Sequence, residues 1–246
     1  MGLIEGLLST IIDDGPVVDL RVGTNWTLAV VQTPNRLRAG LASTQIVHGL
    51  EHGTPAVRDA GLLLGRRSME LAEWALSASL TERSIGFAVL NALVPVDETR
   101  CDPLNAESLI LEHGAGKHVA IVGHFPFVPK VREVASRCSV LELNPQLGDL
   151  PAVDAPAVIP QADVVAITGM TLVNRTFEAL AAMCRPEAFV LLLGATTPLV
   201  PLLFDYGVDA ISGTVIDDID RVAVSVSQGA NFRQIRGKRL LTMSRG

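Results

Sequence analysis

Residues 119–134 read VAIVGHFPFVPKVREV, which indicates a strand, a loop and a helix in succession. The apolar run ends at Gly123, where a nucleotide-binding loop commonly begins after a parallel strand. A dinucleotide loop has further glycines at the next positions, because they let the backbone approach a pyrophosphate. Here the letters HFPF follow instead. The stretch therefore predicts a Rossmann-like turn in which close approach of a pyrophosphate is not supported.

The second half of the chain alternates between strand and helix patterns around this stretch. Predicted strands cover 118–122, 140–143, 163–168, 189–193 and 210–211. Predicted helices or helical turns cover 106–113, 128–137, 174–184, 199–206 and 217–228, and a loop with four prolines spans 145–160. The strands are almost entirely apolar, as in a parallel sheet covered by helices on both faces. We therefore predict an α/β fold with a doubly wound, mainly parallel sheet.

The first hundred residues follow a different pattern, with strands first and helices afterwards. Predicted strands cover 17–22, 26–31 and 41–46, the first two joined by the turn-like GTN, and predicted helices cover 56–78 and 81–93. This order is typical of an α+β domain. The polar segment VDETRCDPLN at 96–105 is predicted to be the linker. We place an α+β domain at 1–100 and a Rossmann-like domain at 101–246.

Composition excludes several classes of protein. The 246 residues carry a net charge of −6, and aromatic residues make up 4%, so a nucleic-acid-binding surface is not expected. The apolar run at 188–204 contains a glycine and two prolines, and we expect no membrane span. No signal peptide is predicted, and three widely spaced cysteines favour a reducing, cytoplasmic location. Whether the chain forms a homo-oligomer is left open.

Ligands of open α/β sheets bind outside the carboxyl ends of the strands, which selects four loops here. The candidate ligand-binding residues in these loops are Gly123, Phe125, Glu142, Asn144, Thr168, Gly169, Thr171, Asn174, Thr196 and Thr197. Glu142 lies 19 residues beyond Gly123, where an acidic side chain commonly accepts hydrogen bonds from ribose hydroxyls. This spacing favours a nucleoside-like or polyhydroxylated ligand. The alternative is that Glu142 caps a neighbouring helix.

His124 is the candidate catalytic residue, because it follows the first predicted parallel strand of the sheet. Imidazole can act there as an acid, a base or a metal ligand. The alternative is a loop histidine packed beside two phenylalanines. Thr171 or Asn174 would otherwise cap a helix, and the hydroxyls of the GATTP loop would precede a helix that begins at Pro198.

Two acidic or histidine-rich segments are weak candidates for metal sites. The segment HGLEH contains His48, Glu51 and His52, but its flanking glycines favour a solvated loop over a helix. Asp217, Asp218 and Asp220 fit the first turn of a helix better than a calcium loop. We therefore assign no metal ligand, and the cofactor is unknown.

Several segments together resemble a known family of proteins to which heavy-metal chelation is ascribed. They are SIGFAVLNAL (84–93), VAIVGHFPFVPKVRE (119–133), LELNPQLGDLPA (141–152), ADVVAITGMTLVNRTFEALA (162–181) and LLGATTPLVPLLFDYGVDAISG (192–213). The resemblance implies a domain like the enolase N-terminal domain followed by a Rossmann-like domain. It also implies a site between the two, partly similar to that of Rossmann-like methyltransferases. The implied chemistry is condensation or hydrolysis of pterin-, flavin- or siderophore-like molecules.

A site between the domains adds Thr24 and Asn25 in the predicted hairpin turn and Asn91 in an apolar helix. Asn91 is alternatively a buried amide with its hydrogen bonds satisfied. Our first hypothesis is an enzyme that acts on a chelator-like small molecule. A non-catalytic binding protein for a metal chelate is the second. An S-adenosylmethionine-dependent methyltransferase is the weakest, because the first loop is blocked by proline.

Overall fold

The computed structural model describes residues 2–46 and 53–246, so the HGLEH segment lies outside the described residues. This part of the chain contains an antiparallel sheet of three strands and a larger sheet of eight. The small sheet consists of β1 (Val17–Val22), β2 (Trp26–Gln32) and β3 (Leu37–Ser43). The large sheet consists of β4 (Cys101–Asp102), β5 (His118–Val122), β6 (Arg137–Glu142), β7 (Leu150–Pro151), β8 (Val164–Thr168), β9 (Phe189–Leu193), β10 (Ala210–Ile216) and β11 (Lys238–Ser244). The α-helices are α1 (Leu3–Ser9), α2 (Ser68–Ala72), α3 (Leu80–Leu93), α4 (Ala106–Gly114), α5 (Val128–Val134), α6 (Ala155–Val158), α7 (Met170–Val173), α8 (Phe177–Ala181) and α9 (Ile219–Ser227).

The large sheet has the strand order β4-β11-β10-β9-β8-β5-β6-β7. Strands β5 to β10 are parallel, and their order is that of a doubly wound Rossmann sheet. β11 is antiparallel to β10, and β4 is antiparallel to β11. The predicted fold class is confirmed. The winding of the chain reverses between β5 and β8, so a ligand crevice is expected above these two strands.

The small sheet confirms the predicted hairpin, since β1 and β2 pair on either side of the GTN turn. β3 starts at Leu37, four positions earlier than the pattern indicated. Helix α3 lies directly on β3, because Gly40 has no side chain. A Cβ at Gly40 would lie 2.3 Å from both the Ala88 carbonyl oxygen and the Ala92 nitrogen. This contact fixes α3 beside the sheet and determines where Asn91 lies.

The predicted helix at 56–78 is wrong over most of its length. Only α2 and a following 3-10 turn, Glu73–Leu76, are helical, and residues 56–67 form turns, bends and irregular chain. Asp59, Gly61 and Gly65 have positive φ angles, which no α-helix accommodates. The leucines of this segment have the spacing of one helical face, but Gly61 and Gly65 interrupt the helix.

The second half departs from the prediction at several element boundaries. The supposed linker at 96–105 contains β4, which pairs with β11, so it is part of the large sheet. The proline-rich loop contains β7 and α6. Of the helix predicted at 174–184, only α8 forms; α7 ends before this range, and Arg175, whose φ of 62° breaks the helical path, separates the two. β10 is longer than predicted, because β11, which the sequence reading missed, pairs along its whole length.

The two sheets share one apolar core. Buried side chains of β2, β3 and α3 form a continuous cluster with those of β8 and β9. A second cluster fills the opposite face of the parallel sheet, between its strands and helices α4 and α5. Within the described residues, no helix has the length and apolar character needed to cross a membrane.

Candidate functional site

A cavity of about 540 Å³ lies at the carboxyl ends of the parallel strands. The loops that follow β5, β6, β8 and β9 line it, together with part of β10. Trp26 and Ser43 of the small sheet complete its wall. The cavity therefore occupies the reversal point of the doubly wound sheet, and both sheets contribute to it.

Most of the sequence-predicted site residues meet at this cavity. Its lining includes Gly123, His124, Phe125, Glu142, Thr168, Gly169, Thr171, Asn174 and Thr196. The structure does not bring Thr24, Asn25, Asn91, Asn144 or Thr197 into the lining. The four loops chosen from the sequence thus surround one space, whereas the candidates from the first hundred residues are not part of its lining.

His124 is paired with Asp149. The distance between His124 Nδ1 and Asp149 Oδ2 is 2.8 Å. The Asp149 side chain has no solvent-accessible surface, whereas that of His124 is 27% exposed. Asp149 also accepts a hydrogen bond from the Gln146 N–H and lies 3.4 Å from the Arg132 guanidinium. A buried carboxylate thus holds a histidine at the cavity wall.

The protonation of this pair follows from its contacts. Burial raises the pKa of Asp149, but the hydrogen bonds from His124 and Gln146 and the charge of Arg132 outweigh it and leave the pKa below its usual value. An ionised carboxylate only accepts, so Nδ1 of His124 must carry the hydrogen. Among the described residues, Nε2 has no hydrogen-bond partner. The second ring nitrogen is therefore available to a ligand in the cavity.

Glu142 holds the loop after β5. Its carboxylate accepts from the backbone N–H of His124 and from that of Leu143, both at 2.8 Å. The acidic residue does cap backbone groups, as the alternative interpretation had it, but in loops rather than at a helix. Each carboxylate oxygen still has a further lone pair, and the residue lines the cavity. Glu142 can therefore accept from a ligand while it fixes His124.

Gly123 and Phe125 shape the same loop. Gly123 has a φ of 100°, which a residue with a side chain rarely adopts, and its N–H donates to the Leu141 carbonyl. Phe125 and Phe127 stack with ring centroids 5.0 Å apart and planes 10° from parallel. Phe127 is buried, and Phe125 is half-buried at the cavity. Aromatic side chains thus stand in this loop, where a dinucleotide-binding loop has glycines.

The loops after β8 and β9 touch through Gly169. A Cβ at this position would lie 2.4 Å from Thr197 Oγ1, so any other residue would push the loops apart. Thr171 Oγ1 donates to the Thr168 carbonyl, and Asn174 Oδ1 accepts from the N–H and the hydroxyl of Thr176. These polar groups hold the loops, but neither residue is a helix N-cap, because α7 follows Gly169 and α8 follows Thr176. The capping interpretation of Thr171 and Asn174 is therefore wrong.

The GATTP loop differs from its prediction in one respect. No helix begins at Pro198, and the helical turn that follows starts at Pro201. Thr196 Oγ1 accepts from the Ser43 N–H at 2.9 Å, which joins the loop to the small sheet. Thr197 Oγ1 is buried and has no hydrogen-bond partner in the described residues.

The three candidates from the first hundred residues contact the second half of the chain from outside the cavity lining. Asn91 Nδ2 donates to the carbonyls of Leu41, Ala195 and Thr196, so this asparagine joins α3, β3 and the loop after β9. Asn25 Nδ2 donates to the carbonyls of two residues after α9, at 3.0 and 3.3 Å. Thr24 lies beside Gly229 in the same contact.

Asp149, Trp26 and Arg233 were missed in the sequence. Asp149 follows Gly148, whose φ of 89° marks a turn, and the pair GD after the second parallel strand was the available signal. The sequence pattern predicts Trp26 only as the start of a strand. Arg233 belongs to a segment without a recognisable motif.

Nothing in residues 2–46 and 53–246 brings three or more His, Cys, Asp or Glu side chains together in a metal-binding group. Asp218 accepts from the Arg221 N–H at the start of α9, and Asp217 pairs with Arg239. These aspartates therefore have structural contacts, as the sequence suggested.

Two family models match the chain. Both carry the description "Putative heavy-metal chelation": the model DUF4213 matches residues 4–94, and the model DUF364 matches residues 105–244. The second match alone covers more than half of the chain. The chain belongs to the DUF364 family. The resemblance inferred from the sequence is thereby confirmed.

Similar proteins cover nearly the same length. A crystal structure of a family member of unknown function from Desulfitobacterium hafniense has a TM-score of 0.81 and 26% identity, covering 99% of this chain and 97% of that one. A family structure from Pyrococcus horikoshii, also of unknown function, has a TM-score of 0.83 and 19% identity, covering 98% of each chain. An uncharacterised protein of Methanocaldococcus jannaschii is 24% identical over 238 residues, which are 94% of this chain and 90% of that protein.

Proposed function

We propose that the protein binds a planar, chelator-like small molecule in the cavity and transfers a proton to or from it through His124. The observation that carries this proposal is the pairing of His124 with buried Asp149 at the cavity wall. An acid–base catalyst needs a group that can take up or release a proton and that reaches the ligand. A histidine oriented by a carboxylate, with Nε2 free of other partners in the described residues, meets both needs.

The lining supports a flat ligand. Phe125 offers a ring face, and the aromatic stack beneath it resists displacement. Glu142 can accept from ring N–H or hydroxyl groups next to this face. Pterin-, flavin- and siderophore-like molecules combine flat or donor-rich parts with metal-binding atoms. In this proposal the heavy metal of the family's description is carried by the bound chelator.

The experiment begins with the ligand. Small molecules released from the purified protein by denaturation would be identified by mass spectrometry, and hydroxymethylpterin, which is fluorescent, would be titrated against the protein. We expect Phe125→Ala to weaken pterin binding, and Leu147→Ala, at a fully exposed position outside the cavity, to leave it unchanged. Equal affinity of the Phe125→Ala and wild-type proteins would contradict the proposed ring site.

A binding protein without catalysis is the second candidate. It is favoured by the number of lining groups already committed to the structure, including both oxygens of Glu142 and the hydroxyls of Thr171 and Thr196. The two candidate functions predict different results for a variant of His124. His124→Gln should abolish conversion of the recovered ligand and keep its binding if the histidine is catalytic. Recovery of an unconverted ligand from both proteins would favour the binding protein.

A further inference from the structure

The two ends of the cavity differ in charge. Glu142 lies at the β6 end, next to the His124–Asp149 pair. Arg233 lies at the other end, with Thr214 of β10 and Leu240 of β11. Arg233 is the only lysine or arginine in the described lining, and it makes no ion pair with a carboxylate of the described residues. The other lining carboxylate, Glu107, is paired with Lys130.

The cavity is also long. From β6 to β10 the sheet order passes through β5, β8 and β9, which makes four spacings between neighbouring strands. At about 4.8 Å each, these spacings amount to roughly 19 Å. A bicyclic ring at the Phe125 end therefore leaves most of this length for a second part of the ligand.

The segment that carries Arg233 is held in place. Asn25 of the hairpin donates to the Gly229 and Ala230 carbonyls, and Asn231 Oδ1 accepts from the N–H of Arg233 itself. Next to it, Phe232 packs against Trp26 with ring centroids 5.2 Å apart. An arginine on an anchored segment loses less freedom when it binds an anion than one on a mobile tail.

Two further polar groups at this end lack partners. Trp26 Nε1 and Thr214 Oγ1 are buried without a hydrogen bond in the described residues, and both residues line the cavity. Unpaired buried donors are uncommon and costly. Acceptor atoms on a ligand at this end would provide partners for them.

From these features we infer that the Arg233 end is a subsite for an acidic group, so that the ligand is an elongated molecule with a flat ring at one end and a carboxylate or similar anion at the other. The inference rests on the proposed function and deepens it, because it names the class of ligand. Arginine suits this task, since its planar guanidinium pairs with a carboxylate through two parallel hydrogen bonds.

The test compares two fluorescent or absorbing probes that share a ring. Folate has a pteridine ring joined through an aryl linker to a glutamate, and hydroxymethylpterin has the ring without the acid. We expect wild-type protein to bind folate more tightly than hydroxymethylpterin. Arg233→Gln should weaken folate binding by about tenfold or more and change hydroxymethylpterin binding by less than about twofold.

Arg236→Gln is the matched control, because Arg236 is exposed on the same segment and does not line the cavity. It should leave both affinities unchanged, and added salt should weaken folate binding in the wild type more than in Arg233→Gln. The subsite would be overturned if wild-type protein bound folate no more tightly than hydroxymethylpterin, or if Arg233→Gln and Arg236→Gln lost folate affinity equally. In both cases, binding of hydroxymethylpterin would leave the proposed function standing. Failure of both probes to bind wild-type protein would count against the ring site and the subsite together.

Discussion

Asp149 Oδ2 lies 2.8 Å from His124 Nδ1, and the aspartate side chain is closed to solvent while the histidine faces the cavity. Asp149 is therefore shielded from solvent, whereas His124 is placed to contact a ligand in the cavity. The arrangement fixes which imidazole nitrogen bears hydrogen and which way the ring points. The first two predictions concern this pair.

The first prediction is that His124 has its hydrogen on Nδ1 when it is neutral. The reason is that ionised Asp149 only accepts hydrogen bonds. A long-range ¹H–¹⁵N spectrum of the imidazole should show a protonated Nδ1 and an unprotonated Nε2 at mildly alkaline pH. Asp149→Asn should give a mixture of tautomers, and Asp205→Asn, at an exposed site, should not. A wild-type spectrum with hydrogen on Nε2 would contradict the assignment.

The second prediction is that Asp149 stabilises the fold in a pH-dependent way. Its pKa is lowered in the folded protein, so its contribution is present above the ordinary aspartate pKa of about 3.9 and is lost as the pH falls through the folded value. Asp149→Asn should lower the free energy of unfolding by about 1 kcal/mol or more at neutral pH. Urea titrations should show this difference shrinking below about pH 4. If the stability difference between the wild type and Asp149→Asn grew toward acid pH, the lowered pKa of Asp149 in the folded protein would be contradicted.

The third prediction is that Gly169→Ala destabilises the protein by about 1–3 kcal/mol. The added Cβ would lie 2.4 Å from Thr197 Oγ1 and 2.8 Å from the Thr197 nitrogen. Thr197→Ala removes the hydroxyl and should relieve part of the loss in the double variant. Thermal or urea unfolding of the two single variants and the double variant measures this coupling. If the stability losses of the two single variants added up to the loss of the double variant, a direct clash between the new Cβ and Thr197 would be contradicted.

The fourth prediction concerns Asn91, whose amide donates to three carbonyls from two parts of the chain. Asn91→Ala leaves these carbonyls without that donor and should cost about 2–3 kcal/mol of stability. Asn144→Ala is the control, because Asn144 is exposed, and its effect should stay within about 0.5 kcal/mol. Equal stability of the two variants would contradict the role of Asn91 as a connector.

The parallel sheet could be predicted because its strands are uninterrupted apolar runs between helical patterns. The topological rule for such sheets then selected the loops at Gly123, Glu142, Thr168 and Gly194 as neighbours in space. β11 was missed because it begins with Lys238 and Arg239 and is exposed over its first half, so its composition does not resemble that of a buried strand.

The partners of His124 could not be derived from the sequence in the same way. Asp149 lies 25 positions away, in a loop whose path depends on how β7 adds to the sheet edge. The same limit applies to Arg233, which lines the cavity on a segment that Asn25 and Trp26, some 200 positions earlier in the chain, contact. Contacts of this kind depend on tertiary packing, and local patterns do not contain them.

The hydrogen bond from the Ser43 amide to Thr196 Oγ1 spans the small sheet and the loop after β9 at the cavity wall. Any ligand large enough to push the two sheets apart must lengthen this bond, and a ligand that fits without strain must leave it closed. The rate at which the Ser43 amide hydrogen exchanges with deuterium therefore reports how the protein accommodates a ligand, even before that ligand has been identified.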